Sequence, residues 1–171
     1  MAQKALNLED IVAGNIIQTK GIGSMTWLKD GERYSRLENN KQTGGTDIVA
    51  YRAKDNSREV IIPSSLLTDK STGRPIPVRS VSWSADNEKV LIYNNTRRVW
   101  RYDTRGDYWV LNLKDGALRQ LGKGMPESSM MFAKFSPDGT RVAYVSNNNI
   151  YVEDVTSGQI TQPVSYTHLR A

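Results

Sequence analysis

Three stretches of this chain repeat one pattern: MTWLKDGERYSRL (25–37), VSWSADNEKVLIY (81–93) and AKFSPDGTRVAYV (133–145). Each opens on an aromatic residue (Trp27, Trp83, Phe135) and runs into an Asp-centred turn, followed by an extended apolar or mixed run. In the third copy, Pro137 suits the second position of a type I turn and Gly139 its fourth. In the second copy Asn87 takes the glycine's place, and Asn tolerates left-handed backbone better than most residues. A second set aligns behind the first: TDIVAYRAKDNSREVII (46–62), GDYWVLNLKDGALRQL (106–121) and NNIYVEDVTSGQITQ (148–162). Each of these is an extended run, a turn and a shorter extended run. One full copy therefore reads as four antiparallel strands.

The aromatic anchors at 27, 83 and 135 are 56 and then 52 residues apart. Four strands in about 50 residues is the period of a β-propeller blade. Runs such as Val90-Leu91-Ile92-Tyr93 and Val142-Ala143-Tyr144-Val145 are apolar at successive positions. That pattern predicts burial on both faces, as when blades stack, whereas an open sandwich alternates more cleanly. The expectation is an all-β chain: a partial propeller of about three four-stranded antiparallel blades, at about 21–70, 78–122 and 128–163, within a propeller region 21–163. A lead-in, 1–20, carries a short helix that Asn7 caps and Gly14 ends. The variable segments 39–45, 63–77 and 94–107 read as loops on a propeller face.

The 171 residues are 38% hydrophobic, with no cysteine and a net charge of +5. Disulfide scaffolds and thiolate metal sites are excluded, and no apolar run reaches the roughly 18 residues of a membrane-spanning helix. The N-terminus lacks the basic and apolar regions of a signal peptide. Basic residues crowd between Lys89 and Arg105, with Arg97, Arg98 and Arg101 among them. They read as solvated strand edges, so no nucleic-acid partner is expected; salt-dependent binding would mark the rival reading.

The closing residues VSYTHLRA (164–171) break the preceding pattern and carry the one histidine, His168. Their start can be encoded by GTC-TCT-TAT-ACA-CAT-CT, a string found within a transposase end used in sequencing libraries. The expectation is a non-native tail after about Pro163, on a chain cut short.

Candidate chemistry is sparse. There is no Gly-x-Ser-x-Gly elbow and, without the tail, no histidine for a triad. GIGSMT (21–26) lacks the later glycine and lysine of a phosphate loop. No ligand ladder matches a calcium hand, so neither cofactor nor metal is expected. Glu153-Asp154 are neighbours on a strand and point to opposite faces, which fits an outer rim better than an acid–base pair. Arg105-Gly106-Asp107 matches a cell-adhesion tripeptide and reads as a turn before YWVLNL. The stretch that invites function is RRVWRYDTRGDYW (97–109), where Arg101 offers a planar fork to a carbonyl or carboxylate.

LNLEDI near the start, SVSWSADNEKVLIYNNTRRVWRYDTRGDYWVLNL and KFSPDGTRVAYVSNNNIYVED together resemble the N-terminal propeller of bacterial dipeptidyl peptidase IV, a serine peptidase of the prolyl oligopeptidase superfamily. The resemblance covers nearly the whole chain to Gln162. It implies an eight-bladed propeller joined to a C-terminal α/β-hydrolase domain that removes Xaa-Pro or Xaa-Ala dipeptides from peptides with a free N-terminus. It also implies a periplasmic or cell-surface parent, which is homodimeric in the family. The propeller shapes the substrate chamber, and an Arg after Trp in a blade-two loop contacts a substrate carbonyl. Trp100-Arg101 stands in that place, so Arg101 is the substrate-binding residue the resemblance implies. The family's paired-glutamate motif and its catalytic Ser, Asp and His match nothing in this chain, so no catalytic residue is expected here. The alternative is a non-enzymatic propeller, a binding or scaffold protein of the periplasm.

Overall fold

The computed structural model describes residue 8 and residues 23–99 and 101–164. Of the helix expected near the start only Leu8 falls among them, in helical conformation, and the rest of that stretch lies outside the described residues. The remainder is β-structure. Strands β1 (Met25–Trp27), β2 (Arg33–Asn39), β3 (Thr46–Arg52) and β4 (Arg58–Ile62) form one antiparallel sheet in chain order. A 3-10 turn (Ser64–Leu67) and a small hairpin of β5 (Thr68–Asp69) and β6 (Arg74–Pro75) follow. The second sheet is β7 (Ser80–Trp83), β8 (Lys89–Val99), β9 (Tyr102–Asn112) and β10 (Leu118–Gln120). The third is β11 (Met131–Phe135), β12 (Arg141–Ser146), β13 (Asn149–Asp154) and β14 (Ile160–Val164). Three four-stranded meanders in succession are blades of a partial propeller.

Strand β8 buries both faces because sheet two lies between the other two, whereas β12 alternates, with Val142 and Tyr144 buried and Ala143 exposed, so the two-sided burial expected of 142–145 does not occur there. Val90, Ile92 and Leu111 pack with Ile48, Ile62 and Leu67 of the first repeat. Leu91, Tyr108 and Val110 face the other way, onto Met130, Val142 and Tyr144 of the third repeat. Each such side chain withdrawn from water contributes about 1.5–3 kcal/mol, so adjacent residues of β8 stabilise different seams.

The Asp-centred turns are built alike. Asp86 accepts from Ser84 Oγ at 2.5 Å and from the Glu88 amide at 2.9 Å. Asp138 accepts from Ser136 Oγ at 2.5 Å and from the Thr140 amide at 3.0 Å. In the first copy Leu28 replaces the serine, and Asp30 alone holds the amides of Glu32 and Arg33, each at 3.0 Å. Asn87 has φ +57°, the left-handed conformation that Gly139 adopts at +65°.

Several details differ from the sequence reading. Trp27 is 59% exposed, so it anchors little, while Trp83 is half-buried and donates from its indole to Ser35 Oγ at 3.3 Å. Segment 63–77 is structured by the 3-10 turn and the β5–β6 hairpin. Segment 94–107 is no loop: it prolongs the β8–β9 pairing. Arg105-Gly106-Asp107 is no turn either. It lies within β9 with Gly106 and Asp107 buried, so it presents no exposed tripeptide. Glu153 is not on a rim but 2% exposed, facing the second repeat.

Candidate functional site

Strands β8 and β9 have 11 residues each, against 6 or 7 in the matching strands of the other sheets. The surplus forms a two-stranded ribbon beyond the sheet. Pairing runs past Asn94↔Asp107 to Arg97↔Arg105, Arg98↔Asp103 and Val99↔Tyr102, with irregularities on either side of Arg97. At about 3.3 Å per residue, the ribbon reaches roughly 17 Å past the sheet. Val99↔Tyr102 is the last pair, so Arg101, just before Tyr102, stands at the tip. Arg101 is exposed there, and Trp100 lies outside the described residues.

The ribbon's root is fixed from several sides. Tyr93 Oη lies in hydrogen-bond reach of two backbone carbonyls of β9, those of Asp103 at 3.1 Å and Arg105 at 2.9 Å. Its ring stacks on Tyr108 at 4.8 Å between centroids. Gly106 makes room for it: a Cβ there would stand 2.4 Å from Tyr93 Cε2 and 2.6 Å from the Asn94 carbonyl oxygen. Burial, the neighbouring Tyr108 and the Asp103 carboxylate push the Tyr93 phenol up to about 12, so at neutral pH it is a donor. Gly106 and Met130 exchange backbone hydrogen bonds of 3.0 and 3.1 Å, which join β9 to the entry of β11, the first strand of the next repeat. Arg79 pairs with Asp103 at 3.3 Å.

Asp107, 6% exposed, completes the root. It accepts from Asn95 Nδ2 at 2.7 Å and from the Ser128 amide at 2.8 Å. Ser128 Oγ donates to the Asn95 carbonyl at 2.7 Å, and Asn95 Nδ2 also reaches Glu127 at 2.8 Å. The first sheet carries the same device. Asp47, 8% exposed, accepts the Ser64 amide at 2.7 Å and Asn40 Nδ2 at 3.0 Å. In both repeats a buried Asp, second in the aligned segments TDIV and GDYW, ties the strand-two-to-three connection to the exit from strand four. The sequence signal was that shared Asp, and its role was invisible because both partners lie far along the chain.

Arg97, Arg98, Arg101 and Arg105 are all exposed, and among the described residues none of them has a carboxylate in ion-pair distance. The arrangement can bind and orient an anionic or carbonyl-bearing ligand. It offers no nucleophile with a base: no histidine stands among the described residues, and no group of acidic or histidine side chains there could hold a metal ion.

Residues 84–168 match the family described as the dipeptidyl peptidase IV (DPP IV) N-terminal region. The match runs past Pro163 into the segment expected to be a non-native tail. A probable dipeptidyl-aminopeptidase B of Aspergillus oryzae is 26% identical over 132 residues, which is 77% of this chain and 14% of that protein. Its counterpart in Aspergillus terreus is 25% identical over 166 residues, 92% of this chain and 18% of that protein. The chain thus spans less than a fifth of the length of these curated relatives. The crystal structure of Porphyromonas gingivalis dipeptidyl peptidase 4 superposes with a TM-score of 0.75 at 19% identity, over 97% of this chain and 22% of that one, which is a likeness of fold. Residues 84–168 thus match the dipeptidyl peptidase IV N-terminal region, and the chain shares the propeller fold of the dipeptidyl peptidase 4 neighbour.

Proposed function

We propose that this chain is propeller sequence of a serine-type dipeptidyl peptidase that releases Xaa-Pro and Xaa-Ala dipeptides from peptides with a free N-terminus. The observation that carries the reading is the ribbon: an exposed Arg101 at its tip, on a root held by Tyr93, Asp107 and Met130. A guanidinium projected from a fixed root can give a directed N–H pair to a peptide carbonyl. That fixes how far the peptide enters, and holding a reactant in place is itself a contribution to rate. Attack by serine, proton transfer and oxyanion stabilisation belong to an α/β-hydrolase domain, which is the partner this propeller is built to meet. A periplasmic or cell-surface setting and a homodimeric parent go with that reading.

A titration of a labelled Xaa-Pro peptide with the chain, read by fluorescence anisotropy, tests it. Saturable binding that weakens several-fold in Arg101→Ala is expected, with no turnover of an Xaa-Pro reporter by the chain. Binding indifferent to Arg101 would remove the substrate role. Coding sequence downstream that continues through further blades and stops without a nucleophile elbow would replace the peptidase by a non-enzymatic binding propeller.

A further inference from the structure

Arg97 and Arg105 stand directly opposite each other across the ribbon. Opposed residues share a face, and like charges so placed destabilise a strand pair. Nothing among the described residues relieves this pair. Asp103, two residues before Arg105, is paired with Arg79. Asp107 is filled by Asn95 and Ser128, and Glu127 accepts from Asn95. The backbone does not separate the two arginines either. Tyr93 Oη holds the Arg105 carbonyl, and the next residue, Gly106, is bridged to Met130 by two hydrogen bonds. The backbone positions of two exposed arginines are thus paired by contacts that have nothing to do with their charge.

We infer that the Arg97–Arg105 pair is an acidic subsite, which takes the side-chain carboxylate of a bound peptide between its two guanidiniums. A carboxylate has two acceptor oxygens, one for each planar donor fork. It turns a repulsive pair into a clamp, and because the backbone is already set only the two side chains remain to be ordered. The identity of the ligand as a peptide rests on the proposed peptidase function; the subsite adds a specificity to it. Arg97 and Arg105 lie about four residues from the ribbon tip, roughly 13 Å along a strand. An extended peptide covers that distance in about four residues. The preferred Asp or Glu is therefore about four residues C-terminal to the carbonyl that Arg101 holds, beyond the released dipeptide. A nucleic acid suits the site less well. Phosphate backbones recruit runs of cations, whereas here the next pair outward sets Asp103 opposite Arg98.

The test compares two labelled Xaa-Pro peptides, one with Asp-Glu at that distance and one with Asn-Gln, titrated with the chain by anisotropy. The acidic peptide is expected to bind about tenfold more tightly at low salt, with the advantage shrinking at high salt. Arg97→Gln and Arg105→Gln each reduce the advantage, and the double variant abolishes it while leaving the Asn-Gln peptide's Kd unchanged. Both positions are exposed, and an unchanged thermal melt establishes that the variants fold. Equal binding of the two peptides, or a preference that survives the double variant, overturns the subsite. Tighter, Arg97- and Arg105-dependent binding of oligothymidylate overturns the peptide as occupant. Arg101→Ala separates the two proposals: it weakens both peptides alike if the peptidase reading holds. If Arg101→Ala has no effect while the acidic preference persists, the peptidase reading fails and the subsite stands.

Discussion

The Glu153 carboxylate of the third sheet accepts the backbone N–H of Gly122, in the exit from the second sheet, at 2.8 Å. Tyr144 donates to the same oxygen at 3.1 Å, and Arg119 lies 3.4 Å from the other. Arg119 also donates to the Asp154 carbonyl at 2.8 Å, so the pair staples the second and third sheets together. Gly158 leaves room for the guanidinium, since a Cβ there would stand 2.2 Å from Arg119 Nη1.

Removing this carboxylate strands two donors and a partly buried cation. Glu153→Ala is expected to cost about 2–4 kcal/mol, and Glu153→Gln less, because one acceptor remains. Urea unfolding of the two variants beside the parent chain measures it, and an unchanged midpoint in Glu153→Ala would show that the staple contributes nothing.

The buried aspartates of the first two repeats make a matched pair of tests. Asp47→Ala leaves the Ser64 amide and Asn40 Nδ2 without an acceptor, and Asp107→Ala does the same to the Ser128 amide while Asn95 Nδ2 keeps Glu127, at an expected cost of about 1–3 kcal/mol each. Only Asp107→Ala should also loosen the ribbon. Hydrogen exchange at residues 95–106 is the readout: faster in Asp107→Ala, unaltered in Asp47→Ala.

Tyr93→Phe removes the hydroxyl that holds two carbonyls, with an expected loss of about 1 kcal/mol. Gly106→Ala should do more, because one of the atoms in its way is the Asn94 backbone oxygen at 2.6 Å, and overpacking typically costs about 1–3 kcal/mol. The phenol's elevated pKa gives a pH signature. A folded value raised to about 12, against about 10 unfolded, means a contribution fully present below about pH 10 and lost as pH rises through the folded value. Alkaline unfolding of Tyr93→Phe should lack that component.

The Asp138 turn gives the acid counterpart. Hydrogen bonds from Ser136 and Thr140 hold this carboxyl down at about 2. Its contribution is therefore present above the ordinary aspartate value and lost as pH falls through about 2. An NMR titration of the Thr140 amide should show that low midpoint. A midpoint near 4, the ordinary aspartate range, would mean the turn does not close on the carboxylate.

The repeat was legible because turn chemistry and apolar runs are local. Asp86, Asn87, Asp138 and Gly139 announce their turns within a few residues, and β8 shows two-sided burial in four consecutive letters. The ribbon was not legible. Residues 94–107 are mostly Asn, Thr, Arg and Asp, with Val99, Trp100 and Tyr102 bunched rather than alternating, and their pairing simply propagates outward from the well-packed part of β8 and β9. Glu153 misled for a related reason. A charged letter reads as surface unless its partners are known, and Gly122 and Arg119 come from the preceding repeat. Arg101 was legible as a residue of interest, but its position at the tip depends on a register that the apolar residues upstream set.

Strand β8 serves two interfaces at once, with Val90 and Ile92 on one side and Leu91 on the other. A single inserted or deleted codon within it would present each side chain to the seam shaped for its neighbour, spoiling both together. Strand β8 can therefore change length without disturbing either seam only past Asn94, where it has left both. The ribbon is thus the stretch of β8 and β9 whose length the core does not dictate, and it is where the arginines have gathered.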